Sequence, residues 1–91
     1  MTILHLNLKS EYFYQIKLGH KIYEFRLQNA YWTKRLVNRA YDQIQIKNGY
    51  PRKNDWENIE VRPWRGFEVF EDFKHEHFGA KPVNVFAIRV N

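Results

Sequence analysis

Apolar and polar residues alternate along several short segments of this 91-residue chain, as they do in half-buried β-strands. Residues 3–8 are the clearest case, because three leucines fall on one face of the predicted strand and Ile3, His5 and Asn7 on the other. Similar patterns predict further strands over residues 41–47, 59–61, 67–73 and 83–90. The dipeptide Asn48-Gly49 is a turn signal, so we expect a reversal of the chain after the strand that precedes it.

A helical pattern follows the first predicted strand. Ser10 can act as the N-terminal cap of a helix that ends before Gly19, where a left-handed residue is expected. The predicted buried stripe of this helix consists of Phe13, Ile16 and Lys17. A second short helix is expected over residues 29–37, with Trp32 and Leu36 on its buried side. Short strands with few helices predict an α+β fold in which one or two short helices pack on a small β-barrel.

The segment of residues 19–26 carries the most informative chemistry of the chain. Lys21, Glu24 and Arg26 place three ionisable side chains within six positions, a combination suited to binding an anion. In a strand over residues 22–26, Glu24 and Arg26 lie on one face and the aromatic residues on the other, because successive side chains alternate. The same three residues could instead form a structural ion-pair cluster, which at a surface contributes under about 1 kcal/mol. The pattern alone leaves both interpretations open.

The motif Gly19-x-Lys21-x-x-Glu24-x-Arg26, placed after the segment His5–Phe13, resembles the signature of the ASCH domain family, whose members are relatives of the PUA fold. The likeness continues through Asn48-Gly49-Tyr50, Pro63-Trp64-Arg65-Gly66, His77-Phe78-Gly79 and Pro82–Ile88. It therefore covers most of the chain. The resemblance implies a single ASCH domain over residues 1–91, built as a small PUA-like β-barrel, with the motif lining its ligand cleft.

The resemblance also implies two kinds of chemistry. Some enzymes with the ASCH fold are N4-acetylcytidine amidohydrolases, in which the motif lysine works with a threonine nucleophile and a distant glutamate. Lys21 matches that lysine, but Glu24 stands where the threonine is expected, and Thr33 could replace it only if the fold brings it to Lys21. Other members cleave RNA, a reaction that needs a base for the 2′-hydroxyl and cations for the phosphorane. Glu24 and either Lys21 or Arg26 could fill these roles.

Positive charge predominates in the chain, with fifteen Lys and Arg against ten Asp and Glu and a net charge of +5. Between Lys34 and Arg65, eight cations face four carboxylates, so this region carries four of the five net charges. Tyr and Trp residues are interleaved with these cations, as expected where phosphates meet cations and bases stack on rings. The region favours a polyanionic partner and predicts RNA or a modified nucleoside as the ligand.

Other site classes receive little support. The chain has no cysteine, so it can form neither a disulfide nor a thiolate nucleophile. His75 and His77 could face the same way on a strand, but two histidines without a third ligand are a weak signal, and we predict no metal or other cofactor. No apolar run approaches the length of a bilayer span and no signal peptide is recognisable, so the sequence predicts a soluble, cytoplasmic protein without a membrane partner.

Our leading hypothesis from the sequence is a domain that binds RNA or a modified nucleoside. The predicted catalytic residues are Lys21 and Glu24, and the predicted substrate-binding residues are Arg26, Tyr23, Asn48, Tyr50 and Arg65. One alternative is a hydrolase proper, acting either as a ribonuclease on single-stranded RNA or as an N4-acetylcytidine amidohydrolase. A second alternative is a protein-interaction module.

Overall fold

Two helices and six strands make up the fold in the computed structural model, which describes residues 1–91. The helices are α1, Ser10–Lys17, and α2, Ala30–Leu36. The strands β1 to β6 are, in chain order, Ile3–Leu8, Tyr23–Leu27, Gln43–Asn48, Ile59–Pro63, Phe67–Phe73 and Val83–Arg89. Single 3₁₀ turns occupy Trp56–Asn58 and Glu76–Phe78. The α+β class predicted from the sequence is confirmed.

The first sheet has the strand order β1-β3-β4. β1 runs parallel to β3, with Leu6 opposite Ile46, and β3 is antiparallel to β4. A parallel pair needs a long crossover, and here α1, β2 and α2 all lie between its two strands. Leu4, Leu6 and Leu8 are buried as their alternation predicted, and so are Ile44 and Ile46 on β3. The buried faces of β1 and β3 therefore form one apolar surface.

The second sheet has the strand order β2-β6-β5 and is antiparallel throughout. β6 is its central strand, and all four residues from Val85 to Ile88 are buried. Burial of consecutive residues means that both faces of β6 are covered. β2 pairs only with β6, so the other edge of β2 is free to border a cleft.

One hydrophobic core joins the two sheets and the helices. Its eleven buried members are Leu4, Leu6, Leu8, Phe13, Ile16, Leu36, Ile44, Ile46, Phe86, Ile88 and Val90. α1 contributes Phe13 and Ile16 to this core, and α2 contributes Leu36. Neither helix has the length and apolar character that crossing a bilayer requires.

The structure corrects two details of the predicted α1 helix, although every predicted element lies within two residues of its observed bounds. Ser10 is not the cap: Lys9 holds the N-cap position without a side-chain hydrogen bond, and Ser10 Oγ donates to Asn48 Oδ1 at 2.8 Å. Lys17 is exposed rather than part of the buried stripe, and its Nζ lies 4.0 Å from Glu60 Oε1. Both polar groups find partners on β3 and β4, which the local sequence of α1 does not specify.

α1 ends in a Schellman motif, in which the last carbonyls of the helix accept bonds from the turn beyond it. The backbone N–H of Gly19 donates to Ile16 O at 3.0 Å, and that of His20 donates to Gln15 O at 2.8 Å. Gly19 has φ +79°, which confirms the left-handed residue predicted there. This turn directs the chain into β2 through Lys21.

Asn91 fixes the short segment between α1 and β2. Its Nδ2 donates to Ile16 O at 2.9 Å and to Lys21 O at 2.6 Å. The backbone N–H groups of Val90 and Asn91 donate to Ile22 O at 2.8 and 3.3 Å. The residues that follow β6 therefore hold the backbone that carries Lys21.

Candidate functional site

A cleft of about 320 Å³ is bordered by β2, the end of β1, both helices and the 3₁₀ turn before β6. Its charged lining residues are Lys9, Lys21, Glu24 and Arg26, and its ring-bearing ones are Tyr12, Phe25, Trp32, His75, His77 and Phe78. The volume lies at the lower end of the range found for small-molecule sites. A cleft of this size, with few charges among several rings, suits a planar ligand that carries polar edges.

Glu24 lies at the centre of the charged side of the cleft, and it is the one buried residue of the protein with a polar side chain. Its Oε1 accepts hydrogen bonds from Lys21 Nζ at 3.3 Å and from the backbone N–H of Phe25 at 3.2 Å, and it lies 3.1 Å from Arg26 Nη1. Its Oε2 is buried and has no hydrogen-bond partner. Because an unpaired buried acceptor is costly, Oε2 is a group that an N–H or O–H of a ligand could satisfy.

The ion pair between Glu24 and Arg26 confirms that the two side chains share one face of β2, as the alternation predicted. Phe25, which the alternation assigned to the opposite face, also borders the cleft. The physical reason is that β2 is an edge strand, so the cleft wraps around its unpaired side. The edge position makes four consecutive residues of β2, from Glu24 to Leu27, available to one ligand.

Lys21 and Tyr12 form the part of the cleft nearest α1. Lys21 Nζ lies 4.6 Å from the centre of the Tyr12 ring, a cation–π distance. Partial burial raises the pKa of Tyr12, and neighbouring carboxylates, led by that of Glu11, act in the same direction. The Tyr12 hydroxyl therefore keeps its proton at neutral pH and can donate a hydrogen bond to a ligand.

Arg26 joins β2 to the end of β1. Its Nη1 donates to Phe25 O at 2.9 Å, and its Nη2 donates to Asn7 O at 3.3 Å. Its guanidinium carbon lies 5.4 Å from the centre of the Trp32 ring. These two bonds use two of the five N–H donors of the guanidinium, and Nη1 also forms the ion pair with Glu24 Oε1. The other donors can bind a carbonyl or phosphate oxygen of a ligand.

Aromatic rings continue the cleft towards the segment that follows β5. The Phe25 ring lies 4.6 Å from that of Phe73, and His75 stacks on Phe73 with an interplanar angle of 11°. His77 meets the Tyr12 ring edge-on at 5.6 Å. The cleft therefore has aromatic groups on both its α1 side and its β5 side, and such rings stack with nucleobases of any sequence.

The structure brings together Lys21, Glu24 and Arg26 but disperses the other predicted site residues. Tyr23 lies outside the cleft, and its hydroxyl donates to Glu68 Oε2 at 3.3 Å. Arg65 is exposed on the connection between β4 and β5 and is also outside the cleft. Asn48 and Tyr50 line a second cavity that adjoins the first.

No serine, threonine or cysteine lines the main cleft. Thr33 is exposed on α2 and is not among the residues that line the cleft with Lys21, so the cleft offers no threonine to serve as the nucleophile. Thr2 instead bonds Asp42 Oδ2 at 3.2 Å through its hydroxyl. Covalent catalysis by a serine, threonine or cysteine nucleophile therefore has no candidate residue in this cleft.

Several lining residues were not among the predicted site residues. Tyr12 was missed because the helical pattern pointed only to its buried neighbours on α1. Trp32 was assigned to the core, whereas it is half-buried and both packs on the core and lines the cleft. A signal existed for Phe78, since it belongs to one of the segments that carry the ASCH resemblance.

The charge balance of the cleft favours an anionic or strongly polar ligand, because three cations and a single carboxylate line it. Its rings favour a planar group, and the free Oε2 of Glu24 favours a donor on that group. Comparisons of the chain with protein-family models, with curated proteins and with solved structures found no match.

Proposed function

We propose that the protein is a small ASCH-like domain that binds RNA or a modified nucleoside in the cytoplasm, and that its two sheets form a half-closed PUA-like β-barrel. The observation that carries the proposal is the convergence of Lys21, Glu24 and Arg26 in a cleft walled by aromatic rings. Cations beside stacked rings are the combination that single-stranded nucleic acids require.

In this proposal the cleft holds one nucleoside. The base lies against the rings of Tyr12 and Trp32, while a base N–H satisfies Oε2 of Glu24. The unused donors of Lys21 and Arg26 bind oxygen atoms of the base or of its phosphate. All three kinds of contact are made by side chains that the fold already holds in place.

The basic region between Lys34 and Arg65 binds the phosphates of a longer RNA in this proposal. Arg65 and Arg52 are exposed and take part in none of the four ion pairs of the protein, so their charge is available to a polyanion. Arg62 is less available, because its Nη1 lies 2.8 Å from Glu60 Oε2. The cleft and the basic region thus make separable contributions to binding.

The test is the affinity for single-stranded RNA and for free nucleosides at increasing salt. RNA affinity should fall with salt, with a logarithmic slope of about −0.7 for each phosphate contact. Arg26→Ala should weaken binding of both ligands. Arg65→Ala removes the same charge outside the cleft, so it should weaken only RNA and reduce the slope by about 0.7. Absence of binding to RNA, DNA and nucleosides at low salt would remove the proposal, and a nuclease-insensitive protein partner would favour an interaction module.

Hydrolysis is a second candidate, favoured by the position of Glu24. A carboxylate with one unpaired oxygen beside two cations could take the proton of a 2′-hydroxyl, while Lys21 or Arg26 stabilises the phosphorane. The same carboxylate could activate water against the amide of N4-acetylcytidine. Neither reaction requires a serine or threonine nucleophile, and neither residue type lines the cleft.

Turnover of both substrates separates this candidate from binding alone. Per folded molecule, Glu24→Gln should lower turnover by about a hundredfold or more if Glu24 is a general base. Lys21→Ala should lower both turnover and affinity, because the ligand and the transition state share that cation. Unchanged turnover in Glu24→Gln would strike Glu24 from the catalytic residues, and no turnover by the wild type would leave binding as the function.

A further inference from the structure

A second cavity adjoins the main cleft and shares part of its wall. It has a volume of about 460 Å³ and lies where the parallel strands β1 and β3 end side by side, with Leu8 opposite Asn48. Asn7, Leu8 and Lys9 line both cavities. The two cavities are therefore neighbouring parts of one groove, and Lys9 stands at the boundary between them.

The far wall of the second cavity is a turn that the protein holds firmly. The backbone N–H of Gly49 donates to Leu8 O at 2.8 Å, and Asn7 Nδ2 donates to Gly49 O at 2.7 Å. Ser10 Oγ donates to Asn48 Oδ1 at 2.8 Å. These bonds tie the turn to the end of β1 and to the start of α1. The next residue, Tyr50, thus projects from a fixed point of the backbone.

Tyr50 exposes 93% of its surface, the largest exposed fraction of any aromatic residue in the protein. An exposed ring on an ordered turn is ready to stack on a base without further loss of backbone freedom. Lys9, exposed between this ring and the main cleft, belongs to none of the ion pairs of the protein. Along the groove, the rings of the main cleft are therefore followed by the unpaired cation of Lys9 and then by the ring of Tyr50.

We propose that this groove holds two successive nucleotides of a single strand. One base occupies the main cleft, the phosphate that links the nucleotides lies against Lys9, and the second base stacks on Tyr50. The inference rests on the proposed function and narrows it, since it assigns the site to an oligonucleotide rather than to a free nucleoside. A free nucleoside in the main cleft has no second base to stack on Tyr50.

The test compares mononucleotides with dinucleotides of the same base, for each of the four bases, at constant low salt. We expect the dinucleotide to bind about tenfold or more tightly, the scale of one base stacked on an aromatic side chain. Tyr50→Ala should reduce this ratio to about one, whereas Tyr50→Phe should preserve it, because a phenyl ring still stacks. Trp56→Ala is the matched control, since Trp56 is an exposed aromatic outside both cavities and its loss should leave the ratio unchanged.

The possible outcomes separate this inference from the function on which it rests. Mononucleotide binding without a gain from the second nucleotide would overturn the two-nucleotide groove and leave the proposed function standing. An equal loss of the ratio in Trp56→Ala would also overturn it, because the effect would not be specific to the groove. Failure of every mono- and dinucleotide to bind would overturn the two-nucleotide groove, and the proposed function falls with it only if longer RNA, DNA and modified nucleosides also fail to bind. Equal thermal midpoints of wild type and variants establish that each comparison is made on folded protein.

Discussion

Glu24 holds two partly buried cations in place through a single carboxylate oxygen. The Lys21 and Arg26 side chains are 17% and 19% exposed, so water cannot fully replace the carboxylate if it is lost. Removing one member of a fully buried ion pair costs about 3–5 kcal/mol. Because these cations keep some contact with solvent, we expect the cost here to be smaller.

The first prediction concerns this carboxylate. Glu24→Gln should lower the free energy of unfolding by about 1–3 kcal/mol, since it keeps the shape but leaves the two cations without a counter-charge. The thermal midpoint should fall by about 4–8 °C for each kcal/mol lost. Glu71→Gln is the control, because Glu71 is exposed on β5 and makes no ion pair. Equal midpoints in the two variants would contradict a stabilising role for the buried carboxylate.

The α1 helix is the element that places Lys21 at the cleft, and its end depends on one residue. Gly19 has a left-handed backbone, and the space around a Cβ added there is open within 4 Å. Any penalty of substitution must therefore come from the backbone conformation and not from a clash. This separation makes the position a clean test of the helix terminus.

Gly19→Ala should destabilise the protein by about 1–2 kcal/mol, the cost of a left-handed conformation for a residue with a Cβ. Gly19→Asn should cost less, because asparagine tolerates that conformation through local hydrogen bonds. Denaturant titration of the two variants with an unchanged slope measures the difference. Equal stability of both variants and the wild type would show that the Schellman turn contributes nothing to the fold.

The sequence predicted the elements better than their arrangement. The bounds of β1 and α1 could be predicted because buried positions recur with a local period. Lys21, Glu24 and Arg26 were grouped correctly because they lie within six positions of the sequence, with Glu24 and Arg26 on one face of β2. The parallel pairing of β1 with β3 could not be predicted, since its partners are separated by two helices and a strand. For the same reason His75 escaped the predicted site, since it reaches the cleft from a segment far along the chain. Trp32 was missed because its helical spacing assigned it to the core, whereas it also lines the cleft.

At the scale of the whole molecule, a chain of 91 residues buries only 15 of them, so each core side chain carries a large share of the stability. The contribution of a core side chain can be tested by making the same change, valine to alanine, separately at Val85 and at Val69 of the second sheet. Val85 is fully buried on β6, whereas Val69 is 49% exposed on the edge strand β5. The two valines differ in burial but not in chemistry.

Val85→Ala should lower the free energy of unfolding by about 2–3 kcal/mol, from lost apolar burial and from the cavity left behind. Val69→Ala should change it by less than about 0.5 kcal/mol. Urea titration of both variants checks the prediction. A similar loss in both would mean that β5 is covered in solution by something that the isolated chain does not show.

Asn91 and Val90 bond the backbone of Ile16, Lys21 and Ile22, and so tie the end of β6 to the start of the cleft. Local opening of that strand end and binding of a ligand to Lys21 are therefore coupled equilibria. Opening lowers the affinity for the ligand by the same factor by which the bound ligand disfavours opening. A ligand that holds Lys21 would suppress local opening at residues it never touches. Conversely, a partner that captured the end of β6 would loosen the cleft and act as an inhibitor from outside it.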